Sequence, residues 1–248
     1  TNLKQPMTAI CKNCTSEITQ NFCANCGQSG QLQKIDGKYI INEIQQLFNF
    51  EKGFFYTAKE LLIRPGTSVK EYITENRNKH MKPVTYLILT SLLYSLVAGI
   101  FNVNQIYNER EKLMFENSSI GDLQHWVQTN YGYANILMGF FIALCVKLFF
   151  RKHHFNRCEI AMLICFIMGQ GMLFLTVEAF FVDALSKSAF IGVMTFISFA
   201  YPTWAIGQFF DSSKFSSYLK AFLAYLLGYT LFYIAIIIVG LIVDLIVQ

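Results

Sequence analysis

Four cysteines near the start of the sequence have the spacing of a metal site. Cys11 and Cys14 form one CxxC pair, Cys23 and Cys26 form a second, and eight residues separate the two pairs. Zinc takes four thiolates in a tetrahedron at about 2.3 Å, and each CxxC pair wraps two of them around one face of the ion. A unit this short has no room for a hydrophobic core, so bound metal has to supply its folding energy. We predict a structural zinc ribbon, because four protein ligands leave no position open for catalysis.

Other uses of these cysteines fit the pattern less well. A redox CxxC motif lies at the start of a helix in a thioredoxin-like domain, and no such pattern follows either pair here. A structural disulfide is disfavoured in the cytosolic location that the charge pattern below predicts, and iron remains the alternative metal. Gly27 follows the second pair and allows a turn with positive φ, while Phe22 offers one apolar side chain as a plug. The remaining cysteines have no partner at ligand spacing and are predicted to be small packing residues: Cys145, Cys158 and Cys165.

The rest of the chain is too apolar for a soluble domain. Of its 248 residues, 54% are hydrophobic and only 15% are charged, whereas soluble domains are about a quarter charged. A helix that crosses a bilayer needs about 20 mostly apolar residues. Five windows meet this requirement, at about Val84–Phe101, Tyr131–Phe150, Ile160–Val182, Ala189–Phe210 and Leu219–Val243. We therefore predict an all-α polytopic membrane protein with about five transmembrane helices and a small N-terminal zinc ribbon.

Positive charge alternates between the segments that flank these windows. The residues up to 83 carry 11 of the 20 Lys and Arg, whereas the loop 102–130 carries only Arg110 and Lys112 against four acidic residues. The loop 151–157 is basic again, the loop 183–188 has only Lys187, and the next is basic. The positive-inside rule then predicts a cytoplasmic N-terminus and a C-terminus on the outside.

Between the ribbon and the first window, apolar residues recur at helical spacing in two stripes, 40–48 and 54–62. The second stripe ends at Arg64-Pro65-Gly66, a helix stop, and Ser68-x-x-Glu71 has the pattern of a capping box that opens a third helix. We favour an arrangement in which these helices pack together as a cytoplasmic subdomain. In the alternative, the helix that carries the second stripe lies in the lipid headgroup layer. The predicted domains are the ribbon at 1–30, a cytoplasmic amphipathic helical linker at 31–83 and a transmembrane helical domain at 84–248.

The ribbon and linker together resemble a family of uncharacterised bacterial membrane proteins, a domain of unknown function with a short zinc ribbon ahead of several spans. The matching residues of the ribbon are Cys11, Cys14, Cys23, Cys26, Gly27 and Gln28. Those of the linker are Leu61 to Gly66, Tyr72, Arg77 and Pro83, so the resemblance covers about residues 11–90. It implies this architecture and a bacterial inner-membrane location, and it implies no activity.

Ionisable residues are sparse in the five windows. Lys147, Glu178 and Asp244 lie within about one or two turns of a window end, and no acid, base or histidine lies near a midplane. Since proton relays and intramembrane hydrolysis need such groups deep in the bilayer, we expect no enzymatic activity and nominate no catalytic residue. Glu178 is expected to snorkel to the interface. The pair His153-His154 is predicted to be solvated rather than a metal or phosphate site, because adjacent residues point to different faces of a helix.

The fourth window is the most polar. Pro202 removes a backbone donor and frees the carbonyl of Ser198. The other polar residues of the fourth window are Thr195, Tyr201, Thr203 and Gln208. Gln170 in the third window is in position to face them. We favour polar contacts between helices, with a cavity for a lipid or small solute as the alternative. In the fifth window a small-residue face suits close packing, within the chain or onto a partner, and consists of Ala221, Ala224, Gly228 and Ala235.

These features favour a non-enzymatic scaffold, adaptor or accessory subunit of a membrane complex. The ribbon and linker are then a docking module for a protein partner or a second copy of the chain. Nucleic-acid binding is not expected, because seven acidic residues dilute the charge of the basic head and it has no Lys/Arg run. The alternative function is a carrier or channel for a lipid or small neutral solute that uses the polar fourth window.

Overall fold

The five longest apolar runs of the sequence form the five longest helices of the structure. The structure is a computed structural model that describes residues 9–11, 13–18, 23–27, 53–101, 103, 119–182, 184 and 186–247. Its contacts divide the chain into two compact units, Thr1–Glu51 and Lys52–Gln248. The predicted helix at 40–48, the plug residue Phe22 and Gln28 lie outside the described residues.

In the first unit, two short strands flank the first cysteine pair. The strands β1 (Ala9–Ile10) and β2 (Glu17–Ile18) pair antiparallel, with Ala9 opposite Ile18. The Cys11 N–H donates to the Ser16 carbonyl at 2.9 Å, so the loop that carries the first cysteine pair is closed between the two strands.

In the second unit, the described residues form eight helices. They are α1 (53–63), α2 (Pro65–Thr74), α3 (Pro83–Ile100), α4 (Ser119–Thr129), α5 (Tyr131–Phe149), α6 (Arg157–Ala179), α7 (Lys187–Asp211) and α8 (Phe215–Val247). Five of them, α3 and α5 to α8, are long and apolar enough to cross a membrane. The prediction of an all-α polytopic membrane protein is confirmed, and the chain is a multi-pass membrane protein.

Local sequence sets several helix ends. At the start of α6, the Asn156 side chain accepts a hydrogen bond from the Glu159 N–H at 2.9 Å, and the Glu159 carboxylate accepts one from the Asn156 N–H at 2.7 Å. This capping box starts the helix three residues before the predicted window. The capping box predicted at Ser68 was wrong, because α2 already begins at Pro65 and Ser68 is buried inside it. Proline suits the first helical position, since the N–H that it lacks has no intrahelical acceptor there.

The core of the second unit lies around α6. Buried residues make up 61% of its most apolar window but only 17% of that of α8. The largest fully buried side chains of α6 include Leu163, Phe166 and Ile167. The helices α1 and α2 belong to the same compact unit, and α2 packs on α7 and α6. The predicted linker helices therefore pack on the transmembrane helices and not only on each other, while the division at residue 83 stays a prediction from sequence pattern.

Candidate metal centre and membrane cavity

The four cysteine sulfur atoms lie together in the first unit. The Sγ atoms of Cys11 and Cys26 are 3.5 Å apart, as are those of Cys14 and Cys23, and all four atoms lie within 4.8 Å of one another. A tetrahedron with Zn–S bonds of about 2.3 Å has S···S edges of about 3.8 Å. The cluster therefore has the dimensions of a four-thiolate metal site. Among the described residues, no other group of three or more His, Cys, Asp or Glu side chains could hold an ion.

The backbone folds the two cysteine pairs in the same way. Thr15 N–H donates to the Cys11 carbonyl and Gly27 N–H donates to the Cys23 carbonyl, both at 2.9 Å. Both residues that follow a pair have positive φ, +59° at Thr15 and +73° at Gly27. The positive φ predicted at Gly27 is confirmed. The equivalent role of Thr15 was missed, although its place after Cys14 was the signal.

Hydrogen bonds lower the pKa of two of these thiols, which favours the thiolate form that binds metal. Bonds to the Ser16 side chain and backbone, together with contacts to neighbouring cysteines, lower the pKa of Cys14 to about 6. Backbone hydrogen bonds from Asn13 and Cys14 lower the pKa of Cys11. Since the thiolate is the metal ligand, and thiolates this close repel one another, the cluster suits a soft divalent cation. All four donors are protein sulfur, and this set leaves no position for a substrate.

Two of the polar residues singled out on α7, Tyr201 and Gln208, hydrogen-bond the backbone where α1 ends and α2 begins. In a continuous helix the Leu61 carbonyl would accept from the N–H of residue 65, which is a proline. The Tyr201 hydroxyl donates to that carbonyl instead, at 3.1 Å. The Gln208 side-chain oxygen accepts from the N–H of Gly66 at 2.8 Å and lies 3.4 Å from that of Thr67. These N–H groups belong to the first turn of α2 and have no intrahelical acceptor.

The same junction brings α2 against the backbone of α7. A Cβ atom at Gly66 would overlap the backbone nitrogen of Phe209 and lie 2.6 Å from the Ala205 carbonyl oxygen, so only glycine fits. The Arg64 guanidinium pairs with Glu60 at 2.6 Å and with Glu71 at 2.6 Å, which ties α1 to α2. These carboxylates raise the pKa of Arg64. The Arg64-Pro65-Gly66 motif is therefore a fixed joint, and the predicted helix stop is confirmed.

Gln170 makes its contact on the other side of α6. It is buried, and its side-chain oxygen accepts a hydrogen bond from the Tyr86 hydroxyl of α3 at 2.5 Å. It is not among the residues that line the cavity described next. Gln170 is thus a polar contact between α6 and α3 rather than a partner of α7.

A partly enclosed cavity of about 220 Å³ lies within the helical unit. Four of the residues singled out on α7 line it: Thr195, Ser198, Tyr201 and Pro202. Its other walls include Asn135 of α5 and the tyrosines Tyr94, Tyr131, Tyr225, Tyr229 and Tyr233. None of the described residues that line it is charged. Asn135 was not singled out from the sequence, because one amide in a largely apolar window has no spacing pattern.

The small-residue face of α8 packs inside the chain. Ala221 and Ala224 are fully buried, and Ala235 is half-buried. A Cβ atom at Gly228 would lie 2.5 Å from the Ile142 Cα of α5, so the two backbones approach closely there. Of the two uses predicted for this face, the structure has the intramolecular one.

The histidines differ from one another in their surroundings. His154 is exposed as predicted, but His153 is half-buried with its ring 5.0 Å from that of Phe210, and burial lowers its pKa. His80, which the sequence did not single out, is buried beside the rings of Tyr56 and Tyr72 at 5.1 and 6.0 Å. Burial lowers the pKa of His80 as well, so both side chains favour the neutral form.

Of the three ionic side chains near span ends, Lys147 and Glu178 have different surroundings. Lys147 donates to the carbonyl oxygen of Phe155 at 2.6 Å, so its side chain reaches the basic loop 151–157. The snorkelling predicted for Glu178 was wrong, because both of its carboxylate oxygens are buried and make no hydrogen bond within the described residues. Its position one residue before the end of α6 did not indicate this burial.

Comparison with known families finds one match. Residues 51–95 match the model of a family described as Protein of unknown function (DUF3667). This confirms the predicted resemblance to an uncharacterised family over α1, α2 and most of α3, which include the joint at Gly66. No curated protein and no solved structure matches the chain.

Proposed function

We propose that this membrane protein is a non-enzymatic scaffold or accessory subunit of the bacterial inner membrane, with a cytoplasmic zinc ribbon that docks a protein partner. The observation that carries the proposal is the closed cluster of four sulfur atoms within 4.8 Å of one another. A site of this kind stabilises a fold and leaves no position for substrate. Among the described residues of the five spans, we assign no set of acids, bases and nucleophiles to a reaction.

Zinc is the metal that suits this cluster best. Four thiolates at tetrahedral distances select zinc or iron. The two cysteine loops resemble each other closely, because Thr15 and Gly27 both have positive φ. A reducing cytosol keeps such cysteines available for metal rather than for disulfides.

The cytoplasmic location of the ribbon follows from the positive-inside rule. The basic segments of the helical unit gather at one end, because the Phe155 ring of the loop 151–157 lies 4.6 Å from that of Phe209 near the end of α7. The joint at Gly66, with Lys59, Arg64 and Lys70 nearby in sequence, packs on the same part of α7. Positive charge at one end and little at the other is the pattern that orients multi-pass proteins.

The test is a pair of cysteine variants in the full-length protein, purified from membranes. We expect about one zinc per chain in the wild type by elemental analysis, and near-complete loss in Cys23→Ser, because removal of one buried ligand opens the tetrahedron. Cys158→Ser is the matched control, since Cys158 is exposed and lies outside the cluster. It should keep its zinc.

The docking role is measured on the same variants by quantitative cross-linking and co-purification. Proteins that depend on the ribbon should be lost with Cys23→Ser and retained with Cys158→Ser. An unchanged set of partners after loss of the metal would contradict docking and leave a purely structural ribbon. Iron in place of zinc would contradict the metal assignment alone.

A second candidate is a carrier or channel for a lipid or small neutral solute, favoured by the cavity beside Ser198 and Pro202. Proteoliposomes would be assayed for movement of a fluorescent phosphatidylethanolamine and of glycerol. This candidate expects Pro202→Ala to change the rate while the zinc content stays constant. Rates equal to those of protein-free vesicles would contradict it.

A further inference from the structure

Asn135 carries an unpaired donor beside the membrane cavity. It lies in the second turn of α5, it is 2% exposed, and it lines the cavity. Its side-chain Nδ2 has no hydrogen-bond partner among the described residues. Because nearly all buried polar groups in proteins are paired, an unpaired amide next to a cavity indicates a place for an acceptor atom.

The walls of the cavity determine which molecules suit it. None of the described lining residues is charged, so an ion would lose its hydration without compensation. Tyrosine rings form much of the surface, and Tyr94 and Tyr131 already make an edge contact with ring centroids 5.8 Å apart. Aromatic walls favour a ligand that itself carries a ring.

The size of the cavity limits that ligand to one substituted ring. An apolar cavity of about 150 Å³ binds benzene, and this one is about 220 Å³. It therefore has room for a ring with several small substituents, and not for a whole phospholipid. Asn135 lies four residues after the start of α5, about 6 Å along the helix, so the donor is near the end of α5 that lies away from the basic loop 151–157.

We propose that this cavity is a binding site for an uncharged ring molecule with a carbonyl oxygen, such as a quinone headgroup, and that Asn135 Nδ2 donates to that oxygen. The donor, the aromatic walls and the lack of charge each point to this class. The proposal goes beyond the docking function. It shares its location with the carrier candidate but concerns binding, which needs no transport.

The test uses two probes of nearly the same shape and the full-length protein in lipid nanodiscs. Duroquinone is a fully methylated benzoquinone with two carbonyl oxygens, so it resists addition of thiols, while durene has four methyl groups and no oxygen. Titration calorimetry should show saturable binding of duroquinone to the wild type. Asn135→Leu should weaken duroquinone binding by about fivefold or more, the effect of one lost hydrogen bond, and leave durene binding unchanged.

Two further variants make the result specific. Thr230→Val removes a hydroxyl from an exposed position on α8 outside the cavity and should change neither affinity. Gly171→Leu should abolish binding of both probes, because Gly171 lines the cavity and a Cβ atom there meets no atom within 4 Å. Asn135→Leu should also raise the unfolding temperature of the ligand-free protein, since it removes an unpaired buried donor.

Each outcome decides the proposal. Failure of the wild type to bind duroquinone would overturn it, as would an equal loss of affinity for both probes in Asn135→Leu. Where Asn135→Leu lowers the unfolding temperature, the residue has a structural role and the proposal is again overturned. Zinc content and lipid movement measured on the same preparations separate this result from the docking and carrier proposals, because binding without movement contradicts the carrier alone.

Discussion

Thr15 and Gly27 occupy equivalent positions, each after the second cysteine of a pair, yet only one of them is glycine. The left-handed backbone conformation costs an ordinary residue about 1–2 kcal/mol, and a β-branched side chain is among the least suited to it. Thr15 has φ +59°, and its hydroxyl donates to the Cys14 carbonyl at 2.7 Å, which offsets part of this cost. Local strain therefore lies beside a cysteine of the four-sulfur cluster.

We predict that Thr15→Gly strengthens the ribbon. Relief of the strain, less the greater freedom of glycine in the unfolded chain, leaves a gain of about 0.5–1 kcal/mol. Because metal binding at the proposed zinc site would be coupled to folding, zinc should leave the full-length variant more slowly in the presence of a chelator. The rate is measured by colour change of a zinc-binding dye.

Gly27→Thr supplies the matched control with the opposite sign. It puts a β-branched residue at φ +73° and should speed zinc release. Faster release from Thr15→Gly would mean that the hydroxyl bond to Cys14 outweighs the strain.

At the scale of the elements, the joint at Arg64-Pro65-Gly66 shows how a helix break is compensated by a helix far away in sequence. Pro65 leaves the Leu61 carbonyl without its usual donor, and the break leaves the first N–H groups of α2 without acceptors. Tyr201 and Gln208 are seven residues apart, so they lie on one face of α7. Tyr201 supplies the donor for the Leu61 carbonyl, and Gln208 supplies the acceptor for the first N–H groups of α2. Tyr201 also lines the cavity, so the joint and the cavity share a wall.

We predict that Gly66→Ala destabilises the helical unit. The added Cβ would lie 2.6 Å from the Ala205 carbonyl oxygen, so α2 has to shift, at a cost of about 1–3 kcal/mol. Thermal unfolding of the purified protein, followed by fluorescence, should show a midpoint lower by several degrees.

The control for this variant is Gly99→Ala, in which the new Cβ on α3 meets no atom within 4 Å. It should be neutral or slightly stabilising, since alanine is the better helix former. Equal midpoints for the two variants would mean that α2 does not lie on the backbone of α7.

The sequence was sufficient for features that depend on neighbours in the chain. Two CxxC pairs locate the cysteine cluster because ligand spacing is local, and five apolar runs predict five helices because span length is a property of each run. The bonds from Tyr86 to Gln170 and from Gly66 to Gln208 join residues 84 and 142 positions apart. A hydrophobic pattern does not determine how one apolar helix is rotated against another. These hydrogen-bond partners and the role of Asn135 therefore could not be predicted from the sequence.

At the scale of the whole helical unit, the basic loop 151–157 lies beside the end of α7, where the Phe155 ring is 4.6 Å from that of Phe209. At the other end of α8, the Asp244 carboxylate accepts a hydrogen bond from the Ser119 N–H at the start of α4, at 3.0 Å. The helix α8 has 33 residues and is therefore about 50 Å long, well beyond the roughly 30 Å of a hydrocarbon core. It has to tilt or emerge, and the contact with α4 favours emergence of its carboxyl end beyond the core.

The orientation is tested by labelling introduced cysteines in intact cells with a maleimide that does not cross the membrane. Cys145, Cys158 and Cys165 are first replaced by alanine, and this parent protein, which keeps the four cluster cysteines, gives the background labelling before and after lysis. Ser188→Cys or Lys152→Cys is then introduced at an exposed position, and its labelling is read above that background. We expect Ser188→Cys to react in intact cells and Lys152→Cys to react only after lysis, because the basic loop should be cytoplasmic. The reverse pattern would put the ribbon in an oxidising compartment, where paired cysteines form disulfides, and would contradict both the orientation and the zinc assignment.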